Sequence, residues 1–394
     1  MKVGWHKTTL GAVAQVGAGN SAPQGDALFA NGIYPFFRTS DAGRVRFGDI
    51  AESRDYLNDE GIKGLRLLPA GTILFPKSGA STFLNHRVMM DVDGYVSSHL
   101  ATIVGDESKV DRRFILYFLS TVSAQNLVQD HAYPSLNLPL ISGIPLLLPP
   151  LPEQHRIVAI LDEAFDGIAT AKANAEKNLQ NARALFESHL QSVFTERGEG
   201  WVEKRLEMIG KTQTGSTPKT SDQSNYGDFL PFVKPGDFNT DGSLDYEKAG
   251  LSETGAKGAR KVAAGSVLMV CIGATIGKCG YCDQEVATNQ QVNALTPTDG
   301  SSSRFLYYQM RTESFQRKVI HGSGQATLPI INKSKWSALT LWLPPTVQEQ
   351  EALAAKFDAL IEETQRLESL YQQKLTALDN LKKSLLHQAF SGQL

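Results

Sequence analysis

Cysteine is scarce in this chain: three among 394 residues, Cys271, Cys279 and Cys282. Three thiols build no disulfide framework, which suits a reducing cytoplasm. Long hydrophobic runs are missing as well. The most apolar stretch, Leu138 to Leu148, is too short to cross a bilayer and contains Pro139 and Pro145. The N-terminus lacks the apolar segment of a secretory signal, so a cytoplasmic location is expected. A surplus of positive charge is also missing: 39 Lys and Arg against 41 Asp and Glu give a net charge of −2. Proteins that grip nucleic acid unaided usually carry a basic excess. The balance argues against that, yet it leaves room for a subunit whose partners share the phosphate contacts.

Catalytic fingerprints are wanting too. No G-x-S-x-G, H-E-x-x-H or G-x-G-x-x-G occurs. The run GATIGK, Gly273 to Lys278, is one residue short of a phosphate-binding loop, and Cys279 stands where Ser or Thr would hold magnesium. Cys279-Gly-Tyr-Cys282 has the spacing of a metal or redox pair, but no second pair completes a zinc site. The eight histidines are scattered. No catalytic residue, metal or cofactor is expected in this chain.

What is present is a repeat. Trp5 matches Trp201, an offset of 201 − 5 = 196. At that offset Leu10 falls on Leu206, Gly19 on Gly215, and YPFFRTSD (Tyr34 to Asp41) on LPFVKPGD (Leu230 to Asp237). The offset returns at Glu153-Gln154 and Glu349-Gln350, at Asp162/Asp358 and at Phe194/Phe390, and the E-Q pairs follow the similar triplets Leu148-Pro149-Pro150 and Leu343-Pro344-Pro345. Ordered matches along a whole chain indicate duplication. Each unit opens with a Gly- and turn-rich part carrying short apolar runs, such as TILF and SVLMV, which read as short strands and helices of a mixed domain.

The second part of each unit reads as one long helix. Pro152 is tolerated in a first helical turn, Glu153 suits the positive end of the dipole, and Thr346 to Glu349 forms a capping box. Apolar residues recur in a 4-3 rhythm: Ile157, Leu161, Ile168, Leu179 and Phe186 in the first helix, and Leu353, Phe357, Leu360, Leu367, Leu378, Leu381 and Leu385 in the second. At roughly 60 Å each, such helices need a partner to cover their stripes. The simplest partner is the other helix, packed antiparallel. The expected fold class is α+β: two similar globular α/β domains separated by two long antiparallel coiled-coil helices, with a pseudo-twofold internal repeat. The divisions expected are 1–150, 151–197, 198–345 and 346–394. Lengthening the first helix by seven residues near Ala175 is expected to lengthen the spacer.

Two unlike heads on a spacer suit an extended ligand such as DNA, whose half-sites lie a fixed distance apart. Polar loops able to reach bases and phosphates occur in both units. The candidates are Arg38, Thr39, Lys77, Ser81, Asn85, His86 and Arg87 in the first, and Lys234, Asn239, Lys257, Arg260, Lys261, Lys278, Gln325 and Lys333 in the second. Asp41 and Asp237 follow the paired bases Arg38 and Lys234, so a local ion pair is an alternative there.

The ordered duplication, the two L-P-P…E-Q junctions, Gly215-Ser-Thr-Pro218 and the Gly-Ala-Thr-Ile-Gly run resemble the specificity subunit of type I restriction-modification enzymes. The first unit has Gly19-Asn-Ser-Ala in place of the G-S-T-P. The resemblance implies two target recognition domains, each reading half of an interrupted double-stranded DNA sequence in the major groove. It implies helices that bind two modification subunits, which restriction subunits join. S-adenosylmethionine, ATP and magnesium would then belong to the partners. The rival reading is a coiled-coil structural adaptor without DNA recognition.

Overall fold

The computed structural model describes residues 4–128, 130, 132, 134–239, 241–324 and 328–394. Two compact units divide it: Met1–Ala175 with Lys374–Leu394, and Glu176–Gln373.

In the first unit, short strands form a sheet in the order Ala14–Ala18, Leu100–Gly105, Ile73–Pro76, Arg87–Met90, Phe47–Ile50. The pairs are antiparallel except the last, which is parallel. A smaller sheet orders Asp55–Leu57, Tyr34–Phe37 and Tyr95–Val96, with the second and third strands parallel. His6–Thr9 pairs antiparallel with Pro145–Leu148. The helix Arg112–Thr121 is capped by Asp111 and buries every residue from Phe114 to Leu119.

The second unit builds the same plan. Its sheet runs Gly210–Thr214, Val292–Pro297, Ser266–Val270, Cys279–Cys282. Tyr226–Val233 again pairs parallel with its neighbour, Val286–Thr288. Val202–Arg205 pairs antiparallel with Thr340–Leu343, and Ser303–Arg311 is the equivalent short helix. The additions differ: Phe47–Ile50 extends only the first sheet, while Lys261–Val262 is added beside Val286–Thr288 in the second unit. The repeated mixed fold anticipated from the duplication is therefore realised in the shared strands, with one added strand differing in each unit.

The long helices span Leu151–Glu196 and Val347–Ser391, and Thr346 caps the second through the Glu349 amide at 3.2 Å. Each unit holds a segment of both. In the first, Lys172 pairs with Asp379 and Arg156 donates to the Leu394 carbonyl at 2.9 Å. In the second, Arg183 Nε meets Glu368 Oε1 at 2.8 Å and Phe194 stacks on Phe357 at 5.7 Å. Rising numbers on one helix meet falling numbers on the other, so the segments are antiparallel in each unit.

Of the anticipated seam, Ile157, Leu161, Ile168, Phe186 and Phe357 are buried, and Leu179, Leu353, Leu360, Leu367, Leu378 and Leu385 are partly buried. Leu381 is a correction: it is 48% exposed. Here the inner face has moved one residue on, to Lys382, whose ammonium lies over the rings of Phe47 and Phe165, and then to Leu386 and Ala389. A helix of 3.6 residues per turn drifts against a strict heptad, so a 4-3 count loses its face after a few turns.

The repeated E-Q junction has a physical role. Gln154 is fully buried. Its Oε1 accepts the Asp111 amide at 2.8 Å, and its Nε2 donates to the carbonyls of Lys109 (3.0 Å) and Pro149 (2.8 Å). It thereby fastens the start of the long helix to the start of the short one. Gln350 repeats the first bond, accepting from the Ser302 amide at 2.9 Å. One helical turn pair further on, Asp162 accepts from Tyr117 and Arg113, and Asp358 accepts from Tyr308 and Arg304. Gln154→Ala leaves three backbone groups without this partner, the Pro149 carbonyl buried and the other two partly so, and is expected to cost about 3 kcal/mol. In calorimetry this lowers the melting of the first unit by roughly 5–10 °C. Gln350→Ala, which removes the acceptor of the Ser302 amide, shifts melting less; equal shifts would contradict this account.

Candidate nucleic-acid interface

In each unit the strand register gathers remote loops at one end of the sheets. In the first unit Ala18 pairs with Ala101 and Pro76 with Leu100, so residues 19–20, 77–86 and 97–99 emerge together. Phe37 pairs with Val96, which brings residues 38–40 beside 97–99. Backbone bonds tie this end: Asn20 N to Val96 O (2.6 Å), Ser97 N to Phe37 O (2.9 Å), Lys77 N to His99 O (3.0 Å) and Leu136 N to Lys77 O (2.8 Å).

The second unit makes the same four bonds. Ser216 N reaches Thr288 O (2.8 Å), Asn289 N reaches Val233 O (3.3 Å), Cys271 N reaches Gln291 O (2.7 Å) and Ile331 N reaches Cys271 O (3.0 Å). The two glycines at offset 196 explain themselves here. A Cβ on Gly19 would lie 2.3 Å from the carbonyls of Val96 and Ser97, and one on Gly215 would lie 2.2 Å from Thr288 O. Only glycine lets these strand ends close together. The first unit thus keeps the geometry of Gly215 even without the Ser-Thr-Pro that follows it.

The candidates divide by position. Arg38 and Thr39 are half-buried at this end. The Arg38 guanidinium lies 5.1 Å from the Phe36 ring and pairs with Asp55. Asp41 is not its ion partner: it accepts the amides of Arg38 (2.8 Å) and Arg54 (3.0 Å). Asp237 accepts the Lys234 amide at 2.7 Å, while the exposed Lys234 side chain lies over Phe232. The repeated Asp is a backbone cap.

Lys77 and Ser81 sit on the loop and are partly exposed. Asn85 has φ +53° and spends its side-chain oxygen on the Ala124 amide at 2.8 Å, so it shapes the loop. His86 is half-buried, with its pKa lowered by burial and then by Arg46 and Arg87. Arg87 is a correction as a surface group. It is fully buried, stacked 3.5 Å from the Phe75 ring, and donates to the carbonyls of His86 and Val122. Burial brings its pKa down to about 9. Sequence reading missed this because an arginine in a polar run looks exposed; only the burial of Arg87–Met90 at every position marks it as a central strand.

In the second unit Lys257, Arg260, Lys261, Lys278 and Lys333 are all exposed. Arg260 joins the loop end through its amide to Ser216 Oγ (3.3 Å) and its guanidinium to Thr214 O (3.0 Å). Lys261 pairs with Glu285 at 3.0 Å, and Lys278 Nζ reaches Phe238 O at 3.3 Å. Asn239 donates to Ser243 within a turn whose Asp241 carbonyl is held by Tyr307 and Arg311. Gln325 lies outside the described residues.

Sequence reading also passed over the turns at the centre of each end, residues 97–99 (Ser-Ser-His) and 289–291 (Asn-Gln-Gln). Their signal was a short polar run between two buried strands. His99 and Gln290 are exposed; Ser78 Oγ contacts His99 Nδ1 at 2.7 Å, and Thr217 donates to Gln290.

GATIGK connects antiparallel Ser266–Val270 and Cys279–Cys282, so no helix follows to hold a phosphate. Cys279 and Cys282 enter different core clusters, because residues three apart on a strand face opposite ways. Burial raises both thiols, to about 12 and about 11. Among the described residues no group of three or more His, Cys, Asp or Glu could hold a metal, and no helix is long and apolar enough to cross a membrane.

A duplicated mixed domain with two matching polar loop ends and two long helices defines a class of modular recognition proteins. Residues 2–180 and 198–377 both match the type I restriction modification DNA specificity domain, and the chain belongs to that family. It is similar to the type I restriction enzyme HindI specificity subunit of Haemophilus influenzae, at 30% identity over 50% of this chain and 42% of that protein. It is also similar to the MjaIX specificity subunit of Methanocaldococcus jannaschii, at 27% identity over 41% and 39%. The match therefore spans less than half the length of these curated relatives. Among solved structures, the HsdS subunit from Thermoanaerobacter tengcongensis shares the fold, with TM-score 0.66 and 18% identity over 100% of this chain and 98% of that one. A chain described for the complex assembly and conformational transition of the type I R-M system gives TM-score 0.77 and 19% identity, over 100% and 99%.

Proposed function

We propose that this chain is the non-catalytic DNA-recognition subunit of a type I restriction-modification complex. Its divisions are 1–150 and 198–345 as target recognition domains and 151–197 and 346–394 as spacer helices. Each domain reads one half of a bipartite double-stranded site in the major groove. The helices set the unread gap and dock two modification subunits, which restriction subunits join. S-adenosylmethionine, ATP and magnesium act on those partners, in the cytoplasm.

The observation that supports this reading most is the loop end built twice on equal backbone with unequal side chains. Register on DNA comes from contacts that carry no sequence, while specificity comes from side chains at base edges. Ser98 and His99 in one unit and Gln290 and Gln291 in the other meet that requirement. Around them, the proposed contacts are Arg38, Thr39, Lys77, Ser81 and His86, and Lys234, Asn239, Lys257, Arg260, Lys261, Lys278 and Lys333. Exposed Leu185 and Leu370 on the long helices suit protein docking. The net charge of −2 fits a subunit whose partners contribute phosphate contacts.

The test is to express the chain with modification subunits and map methylated adenines by sequencing. A two-part motif that appears only with this chain is expected. Methylation indifferent to its presence, together with no shift of the motif-bearing DNA in a gel, would overturn the reading.

A further inference from the structure

The ion pairs of the long helices carry a sign pattern that the duplication does not require. Lys172 meets Asp379 in the first unit, and Arg183 meets Glu368 at 2.8 Å in the second. The four residues occupy equivalent places in the repeat, since 368 − 172 = 196 and 379 − 183 = 196. At both places the first helix carries a base and the second an acid. Asp162 and Asp358, at the same offset, keep one identity because each serves its own domain's short helix.

Placing a second copy of the first helix where the second stands would set Lys172 against Arg183, and Arg183 against Lys172. Placing the second helix against its own copy would set Glu368 against Asp379 twice. Side-chain size follows the same division. Ala171, Ala175 and Ala182 of the first helix correspond at offset 196 to Leu367, Tyr371 and Leu378 of the second. Ala175 and Ala182 are buried, so the small residues lie on the packed side. An alanine-lined face paired with itself leaves space unfilled; a leucine- and tyrosine-bearing face paired with itself is crowded.

We infer that Lys172, Arg183, Glu368 and Asp379 form a charge code that makes the helix of one repeat accept only the helix of the other. Resting on the proposed reading, the consequence is that two unlike domains stay combined and the recognised site stays asymmetric. Homotypic pairing would duplicate one domain and symmetrise the site. One exposed pair contributes modestly. Exchanging two attractions for two repulsions is worth roughly tenfold in the helix-opening equilibrium.

The test stays within the full chain. Glu368→Lys with Asp379→Arg reproduces the first helix facing itself. Lys172→Glu with Arg183→Asp reproduces the second facing itself. All four changes together restore opposite charges in reversed order. Amide hydrogen exchange across residues 168–187 and 364–383 is expected to quicken roughly tenfold in either double variant and to return to the parental rate in the fourfold variant, with the differences shrinking at about 1 M salt. Equal exchange in parent, double and fourfold variants would overturn the code. So would a fourfold variant that is as fast as the doubles. Should a double variant fail to fold, recovery of folding in the fourfold variant decides for the code and its absence against it. These readouts involve no DNA, so they stand apart from the methylation map that judges the proposed function.

Discussion

Exchanging residues 1–150 for the corresponding domain of another family member is expected to change one half of the methylated motif and leave the other half untouched. The two units have separate sheets and separate loop ends, and the first unit's turn at residues 97–99 is held by bonds to its own strands. The turn at 289–291 is held in the same way by bonds to Val233 and Cys271 of the second unit. A mismatched base pair costs a recognition protein about 1–3 kcal/mol. Two altered positions should therefore reduce methylation of the parental sequence by roughly a hundredfold or more. The result is read by sequencing methylated adenines in a host carrying the exchanged chain. A motif unchanged in both halves removes the first domain as a reader; a motif altered in both halves means that the domains do not read independently.

Lengthening the helices is expected to lengthen the unread gap. Seven residues add two turns, about 10 Å, and preserve the face of the stripe. At about 3.4 Å per base pair this amounts to roughly three more pairs between the half-sites. The insertion near Ala175 is expected to act most cleanly when it is matched in the opposite helix. The antiparallel pairing links 172 to 379 and 183 to 368, so a one-sided insertion leaves the opposite helix too short to keep both contacts. Matching insertions after Ala175 and after Gln373 preserve both. The expected outcome is the parental half-motifs with a wider gap. The same gap as before would show that the helices are not the ruler.

Much of this architecture was readable in the sequence. An offset of 196 that survives from Trp5/Trp201 to Phe194/Phe390 implies two copies of one fold, because insertions and deletions between them were few. Helix length and caps were legible because they depend on neighbours within a turn. The seam was legible where the stripe is strongest, at Ile157, Leu161 and Phe357, and was misplaced at Leu381, where small errors in period had accumulated.

The composition of the loop end was only partly legible. The sequence by itself determined the duplication, the two long helices, the polar character of the loops and the absence of familiar catalytic patterns. Tertiary structure decided which of those loops share a surface, and it did so through pairings between residues far apart in the chain. Strand register brought 38–40, 77–86 and 97–99 together and drew Arg87 into the core; it also turned Gln154 from a motif letter into a buried bond between helices. Local physical chemistry specifies turns, caps and periodicity, but a surface assembled from five strand ends exists only once distant segments have bonded to one another.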